Sequence, residues 1–275
     1  MIIDAHHHCW EYSPQKHTWI SDEMAVLKKD FLAKELQATF SQNAIAGSIA
    51  VQADQSEEET HFLLELAAQN DFIKGVVGWV DLRSPKIRER LKHFATFPKL
   101  KGFRHVVQDE PDVNFMLGEA FQNGIAALAD HNFTYDILIF PTQLQATLQL
   151  VQAFPNQAFV IDHIAKPSIK KGEIAIWAKY IKAIAEHENV YCKVSGMVTE
   201  ADWTSWEYKD FTPYLDMIFE SFGTERIMYG SDFPVCLLAA SYEKVKGILS
   251  QYLQQFTLAE QESVWGKNAL KFYNI

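Results

Sequence analysis

The feature that most constrains the fold is a regular alternation of short strand-like runs with longer helix-like segments. Runs rich in β-branched and aromatic residues recur along the chain, as is typical of buried strands. They cover residues 2–6, 45–53, 75–81, 101–106, 134–140, 158–165, 190–196 and 226–232. Strands that alternate with helices pair in parallel, because each helix returns the chain to the starting edge of the sheet.

The segments between these runs have helical signatures. Residues 56–70 begin with Ser-x-x-Glu, the form of a capping box, and residues 174–187 carry apolar side chains at i, i+3 and i+4. A third helix-like segment, 241–256, follows the last strand. Eight such units in 275 residues predict a single (β/α)8 barrel of α/β class, a fold with a typical length of about 250 residues.

An open, doubly wound sheet is the alternative architecture. Such sheets usually carry a glycine-rich phosphate-binding turn after the first strand. The turn in this chain reads His-His-His-Cys-Trp-Glu-Tyr and contains no glycine. The barrel is therefore the preferred prediction, with residues 1–275 as one domain, since no Pro/Gly/Ser-rich linker divides the chain.

Composition limits the partners and the compartment. The net charge of −10 argues against nucleic acid and anionic membrane surfaces, which both require clustered Lys and Arg. No apolar run is long enough to span a membrane. Three cysteines, without a Cys-x-x-Cys pair, predict a reducing, cytoplasmic setting. A small-molecule substrate is the expected partner, and both a monomer and a homo-oligomer remain open.

The first strand ends in three consecutive histidines. Because strand side chains alternate, Asp4, His6 and His8 are expected on one face and His7 on the other. Two imidazoles two residues apart on one strand are suited to binding one metal ion or one substrate group. The run is too short for an affinity tag. Residues 10–31 then predict a long loop over the strand, of the kind that often forms a lid or binding loop.

Polar residues stand at the C-terminal ends of six predicted strands, which is where barrel enzymes place their chemistry. They are His6, His8, Arg104, His105, Asp136, Asp162, His163, Lys193, Ser195, Ser231 and Asp232. Taken singly, His163 also suits a satisfied core histidine, and Asp232 suits a cap of the following turn. Arg104 suits a salt bridge at the rim, and Lys193 suits a side chain that extends to solvent.

Taken together, His6, His8, His163 and Asp232 form a candidate catalytic cluster. Their nitrogen and oxygen donors suit one divalent metal, Zn²⁺ or Mn²⁺. Without a metal, Asp232 is able to act as general base to a water while His6 and His8 donate to a carbonyl oxygen. The spacing does not choose between these two mechanisms. The tryptophans of the opening loop, Trp10 and Trp19, would either pack that loop or stack on a ring-shaped substrate.

Five segments in this order resemble the amidohydrolase superfamily. They are DAHHHCW, GFRHVVQDEPD, VIDHIAKP, VYCKVSGMVTEADW and RIMYGSDFPVCLLAASYEKV. The chain is most similar to the sugar-lactonase branch, which includes L-fuconolactonase-like and L-rhamnonolactonase-like proteins and is related to 2-pyrone-4,6-dicarboxylate lactonase. The resemblance covers essentially the whole chain. It implies a (β/α)8 barrel that opens a sugar lactone to the hydroxy acid by attack of an activated water.

The resemblance also assigns residues. The histidines of the His-x-His motif fall on His6 and His8, the sixth-strand histidine on His163 and the eighth-strand aspartate on Asp232. These four are the predicted catalytic and metal-binding residues. The arginine after the fourth-strand glycine and the seventh-strand lysine fall on Arg104 and Lys193, which are predicted to bind substrate. Trp10 and His105 complete the predicted substrate-binding set.

Several positions depart from the family pattern. The strand-four lysine or glutamate and the second later histidine of two-metal members are absent, so one metal, or none, fits better than two. His7 and Cys9 stand where this branch more usually has Gln and Phe, and Phe233 stands where it has Trp. The alternatives are a metal-dependent decarboxylase, another carbonyl or phosphoester hydrolase on the same barrel, and a non-catalytic sugar-binding protein.

Overall fold

The computed structural model describes residues 1–275 and contains an eight-stranded parallel barrel. The strands are β1 (Ile2–His7), β2 (Ile45–Val51), β3 (Ile73–Gly78), β4 (Leu100–Val106), β5 (Thr134–Leu138), β6 (Phe159–Ile161), β7 (Val190–Val194) and β8 (Ile227–Tyr229). Neighbours pair in sequence order. The ring closes where Asp232 N donates to His6 O at 2.8 Å and His8 N donates to Phe233 O at 2.7 Å. The predicted (β/α)8 barrel is confirmed.

Helices cover the outside of the barrel and close one end. They are α1 (Ala33–Gln42), α2 (Glu57–Gln69), α3 (Ile87–Phe94), α4 (Glu119–Leu128), α5 (Leu144–Ala153), α6 (Ala175–Ala185), α7 (Met197–Glu200), α8 (Tyr208–Phe222), α9 (Tyr242–Tyr252), α10 (Leu258–Glu262) and α11 (Asn268–Tyr273). None of them is both long and apolar enough to traverse a bilayer.

All eight predicted strands are present, but several end earlier than predicted. Strand β6 ends at Ile161 and β8 at Tyr229, whereas the sequence predicted strand to residues 165 and 232. The residues beyond these ends turn away from the barrel wall and carry the polar side chains of the mouth. The Ser-x-x-Glu prediction is half right: Ser56 Oγ accepts from Glu59 N at 3.2 Å, but the Glu59 side chain accepts from Ala53 N instead.

The apolar core has two parts on opposite faces of the strands. A large cluster fills the space between strands and helices, and a smaller one fills the interior of the barrel. The interior cluster comprises Ile3, Ala5, Ile49, Val51, Val77, Val160, Tyr191, Met228, Ala269 and Tyr273. Its last two members come from α11, so the C-terminal helix seals the barrel at the N-terminal ends of the strands. The opposite end, the mouth, is left for polar side chains.

The predicted long loop after β1 is present. Trp10 and Phe31 join its two ends as an antiparallel bridge, with both N–H···O=C distances at 2.9 Å. A 3-10 helix, Asp22–Leu27, lies within the loop. Trp10 Nε1 donates to Lys29 O at 3.0 Å, which fixes the indole inside the loop.

Candidate active site

A β-bulge in β1 decides which histidines face the barrel interior. Asp4 pairs with Ser48 and His7 with Ala50, so β1 has one more residue than β2 between these pairs. His6 and His8 therefore face the interior, and His7 faces outward with Nε2 3.0 Å from Ser48 Oγ. The bulge also turns Asp4 outward. The prediction that Asp4 shares a face with His6 and His8 is wrong, because it assumed uninterrupted alternation.

Asp4 holds the bulge in place. Its Oδ1 accepts from His6 N at 3.1 Å and from Ser231 N at 2.9 Å, and its Oδ2 accepts from Tyr242 OH at 2.8 Å. Burial raises the pKa of Asp4 to about 6, against these hydrogen bonds. One carboxylate thus connects β1, the segment after β8 and helix α9, and it fixes the backbone that carries His6.

His6, His8 and Asp232 converge at the mouth. His8 Nε2 lies 3.3 Å from both His6 Nε2 and Asp232 Oδ1, and His6 Nε2 lies 3.9 Å from the same oxygen. His8 Nδ1 donates to Val51 O at 2.8 Å, which leaves the Nε2 lone pair facing the cluster. Acceptor atoms this close repel one another unless a proton or cation lies between them. The donor set therefore fits one divalent metal.

His163 stands beside this cluster. Its Nδ1 is 2.8 Å from Ser195 Oγ, and its Nε2 is 3.9 Å from Asp232 Oδ1. Burial lowers the pKa of His163 to about 4, and burial also lowers the pKa of His6 well below its ordinary value. Both imidazoles are therefore neutral near pH 7. Gly196, with φ +60°, makes room for the His163 ring, because a Cβ at Gly196 would lie 2.5 Å from His163 Nδ1.

The turn that carries His163 has an uncommon backbone. His163, Ile164, Ala165 and Lys166 have φ angles of +55°, +49°, +61° and +47°. Each non-glycine residue in this left-handed region costs about 1–2 kcal/mol. Three hydrogen bonds hold the turn: Trp177 Nε1 to Ile164 O at 2.7 Å, Lys166 N to His163 O at 2.8 Å, and His163 N to Ser195 Oγ at 3.3 Å. Such strain is typically retained at functional sites.

A buried charge network lies below the histidines. Lys193 Nζ is 2.5 Å from Asp136 Oδ2, 3.0 Å from Asp162 Oδ1 and 3.3 Å from His6 Nδ1. Arg104 Nη1 is 3.1 Å from Asp162 Oδ2 and 3.3 Å from His6 Nε2. Burial opposes ionisation of Asp162, but Lys193, His6 and Arg104 hold its pKa well below its ordinary value. Lys193 is paired in the interior and does not extend to solvent.

A cavity of about 270 Å³ opens above the cluster at the mouth. Its lining combines groups of both charges with apolar and aromatic surface. The lining residues are His8, Lys16, Thr18, Trp19, Ala53, Asp54, Gln55, Arg104, Val106, Gln108, Asp109, Leu138, His163, Lys166, Asp232 and Val235. His6 and Lys193 lie beneath the cavity. His6 contacts the lining residues His8 and Arg104, and Lys193 contacts His6.

The structure brings most of the predicted site residues together, but not His105 and Trp10. Strand alternation that turns Arg104 inward turns its neighbour His105 outward. His105 Nε2 is 2.7 Å from Glu110 Oε1, and its ring stacks on Phe115 at a centroid distance of 4.8 Å. Trp10 is buried within the loop. Neither residue lines the cavity, because one packs against the outer layer and the other packs the loop.

Several lining residues were not predicted. Trp19 lines the cavity, whereas only Trp10 of the two loop tryptophans was in the predicted substrate-binding set. Trp19 Nε1, Gln108 Oε1 and Arg104 Nε are buried polar atoms without a hydrogen-bond partner in the protein. Since such atoms are costly to leave unpaired, they are suited to a polar ligand. Lys166 lies three residues after the predicted site residue His163, in the VIDHIAKP segment.

Comparison with known proteins agrees with this geometry. The sequence profile of the amidohydrolase family matches residues 3–275. The chain belongs to the amidohydrolase family. An L-fucono-1,5-lactonase from Burkholderia multivorans is 38% identical over 282 residues, which cover 98% of this chain and 95% of the relative. An L-fucono-1,5-lactonase from Burkholderia ambifaria is 31% identical, with 99% and 95% covered.

A solved structure extends this comparison to the metal. An amidohydrolase from Burkholderia multivorans with bound zinc is similar at a TM-score of 0.97 and 37% identity, with 100% of this chain and 99% of that chain covered. The predicted membership of a hydrolase family is confirmed for the present chain. Its own His and Asp side chains at the mouth are compatible with one bound metal.

Proposed function

We propose that the protein hydrolyses a sugar lactone, an aldonolactone of the L-fucono or L-rhamnono type, to the open hydroxy acid. The observation that carries the proposal is the convergence of Asp232, His8 and His163 beside Arg104 in one cavity. A base, imidazole groups and a fixed cation are the groups that activate a water and stabilise charge on a carbonyl oxygen. The lactonases from Burkholderia support the substrate class.

Asp232 is the general base in this mechanism. Burial opposes its ionisation, but His163, His8 and Lys166 hold the pKa of Asp232 below its ordinary value. It is therefore a carboxylate near pH 7 and accepts a proton from the attacking water. The water oxygen bonds to the lactone carbonyl carbon, and the carbonyl oxygen becomes negative. The ring C–O bond then breaks, and the proton on Asp232 passes to the departing ring oxygen.

Arg104 and His163 assist this step from fixed positions. Arg104 Nε, which has no partner in the protein, is the donor assigned to the developing negative charge on the carbonyl oxygen. His163 is held by Ser195 through Nδ1, so its Nε2 orients the water or the carbonyl group. Lys193 acts indirectly, because it binds Asp162 and Asp136 and so fixes the ring of His6.

A divalent metal fits His6 Nε2, His8 Nε2 and Asp232 Oδ1. When bound, Zn²⁺ or Mn²⁺ would polarise a carbonyl group or lower the pKa of a water. The roles assigned to Asp232, His163 and Arg104 are compatible with both metal-dependent and metal-free catalysis. The metal content of the purified protein distinguishes the two, together with activity before and after treatment with a chelator.

Proton release from a panel of lactones tests the proposed reaction. The panel contains five- and six-membered aldonolactones of both stereochemical series, and a pH indicator follows acid formation. We expect rapid acid formation from one stereochemical family. If the folded protein opens no lactone faster than water does, the proposed function is wrong, and carbon dioxide release from aromatic acids becomes the next assay.

The variant Asp232→Asn tests the assigned base. It keeps the size of the side chain but cannot accept a proton from water, so we expect kcat to fall by about 10³-fold or more. Circular dichroism and urea unfolding check that the fold is intact. Near-normal turnover in a folded Asp232→Asn protein would remove Asp232 from the base position.

A further inference from the structure

We propose that Lys166 and Glu200 form a substrate-reading pair in which the ammonium and carboxylate together bind one hydroxyl group of the lactone ring. This inference rests on the proposed function and deepens it, because it assigns the residues that distinguish a polyhydroxylated lactone from other cyclic esters. The pair joins the turn after β6 to helix α7, beside the cluster of Asp232 and the histidines.

The backbone places Lys166 in the cavity together with His163. The two residues are three apart and stand at the two ends of the left-handed turn. Both line the cavity, whereas Ile164 and Ala165 between them are buried in the outer core. The left-handed turn thus presents one imidazole and one ammonium to the same space, which is a reason for its strain to be retained.

The separation of the pair allows both groups to bond the same ligand atom from one side. Lys166 Nζ lies 3.8 Å from Glu200 Oε1, and the two side chains are only 17% and 19% exposed. This separation exceeds the roughly 2.7–2.9 Å of a direct charge-assisted hydrogen bond. The ammonium has three donor protons and the carboxylate only accepts. A hydroxyl group is able to accept from Lys166 and donate to Glu200 at the same time.

The charges around the cavity favour a neutral ligand. Acidic and basic groups are interspersed in its wall and at Glu200, so neither sign dominates. They are Asp54, Asp109, Glu200 and Asp232 against Lys16, Arg104 and Lys166. A carboxylate substituent near Lys166 would be repelled by Glu200 and Asp232. We therefore expect neutral hydroxylated lactones to be preferred over lactones that carry ring carboxylates.

The chain supplies a matched control for this pair. Lys170 and Asp202 lie four and two residues further along the chain and form a second ion pair at 3.0 Å. Their side chains are 64% and 37% exposed and neither lines the cavity, whereas Lys166 lines it and Glu200 lies 3.8 Å behind the Lys166 ammonium. This pair also connects the segments that follow β6 and β7 but does not reach a substrate. A variant of this control pair loses an ion pair between the two segments but loses no contact with the ligand.

The test is the kcat/KM of Lys166→Met, Glu200→Gln and Lys170→Met on two substrates. One is the hydroxylated lactone that the wild type opens fastest, and the other is an unsubstituted lactone of the same ring size. Loss of a charged hydrogen bond to a hydroxyl group should lower kcat/KM for the hydroxylated lactone about 10- to 100-fold, mainly through KM. The unsubstituted lactone lacks the bonded group, so at neutral pH, where Asp232 stays ionised without Lys166, its kcat/KM should change less than about threefold.

Each outcome has a distinct meaning. Selective loss in Lys166→Met and Glu200→Gln, with Lys170→Met unchanged on both substrates, supports the pair. Equal loss on both substrates, or no loss, overturns it. If Lys166→Met does not fold, Glu200→Gln alone decides, because it keeps the shape of the side chain and the lysine. A wild-type protein that opens no lactone overturns the proposed function as well, whereas an active wild type with non-selective variants overturns only this inference.

Discussion

The two ends of the barrel interior use the same strands for opposite purposes. At the N-terminal end, inward side chains such as Ile3, Ile49 and Val77 pack into an apolar floor under α11. At the mouth, the same faces carry Arg104 and Lys193 in a buried charge network. Strand alternation decides which residues face inward, and the position along the strand decides whether they provide packing or chemistry.

The two ends also differ in free energy. Each fully buried aliphatic side chain of the floor stabilises the fold by about 1.5–3 kcal/mol. The mouth contains buried ion pairs, whose attraction is largely offset by lost hydration, and a left-handed turn that is intrinsically unfavourable. The floor should therefore control stability with little effect on turnover, and the mouth should control turnover.

The variant Lys193→Met gives the largest expected effect on stability. It removes the cation between Asp136 and Asp162 and leaves buried carboxylates uncompensated, which should cost about 3–5 kcal/mol. Burial already raises the pKa of Asp136 to about 6, and loss of Lys193 raises it further. A folded-state pKa above the unfolded value means that stability is lost as pH rises. Urea unfolding should therefore show a smaller loss near about pH 5 than near about pH 8.

Two control variants separate the contribution of the floor from that of the mouth. Ile49→Ala in the floor should cost about 2–5 kcal/mol at every pH but leave KM and kcat of the folded protein unchanged. Lys74→Met, at an exposed lysine of β3, should change stability by less than about 0.5 kcal/mol. If Lys193→Met were fully active, or if Ile49→Ala altered KM, the division between floor and mouth would not hold.

The variant Glu59→Gln tests a buried carboxylate that supports the mouth from outside the barrel. Burial raises the pKa of Glu59 from 4.5 to about 7, and its Oε1 accepts from Ala53 N at 2.5 Å. Folding therefore favours the protonated acid, and wild-type stability falls as pH rises between these two values. Glutamine does not ionise, so its contribution to stability does not change with pH. The free energy of unfolding of the variant minus that of wild type should therefore rise by about 2–3 kcal/mol from pH 5 to pH 8. Equal differences at both pH values would contradict this assignment.

The variant Tyr273→Phe should have the smallest effect among the substitutions of buried residues. Tyr273 OH donates to Asp136 Oδ2 at 2.8 Å, which connects the floor to the charge network. Lys193 still binds the same oxygen after the hydroxyl is removed, so we expect a loss of about 1 kcal/mol with unchanged kcat. A large loss of kcat in a stable Tyr273→Phe protein would show that the floor acts on the chemistry.

The barrel and most of the cluster were predictable, because β-branched runs and their polar ends are local properties of the sequence. The outward direction of His105 was also predictable, since it is adjacent to the inward Arg104 on an unbroken strand. The bulge was not, because it depends on the pairing of β1 with β2. Nor did the loop sequence distinguish Trp10 from Trp19, because which indole is buried depends on how the loop folds back.

The strand bulge has a consequence for any rearrangement of the site. The extra residue in β1 shifts the alternation of side chains by one position. Odd-numbered residues before the bulge, Ile3 and Ala5, and even-numbered residues after it, His6 and His8, therefore all point into the barrel. If β1 kept its length but lost the bulge, strict alternation from Ala5 onward would turn His7 inward and His6 and His8 outward. The run of three would then still offer an imidazole to the interior, but one without the backbone anchor that Asp4 provides. Transplanting this motif to another barrel therefore requires the extra residue and its aspartate as one unit.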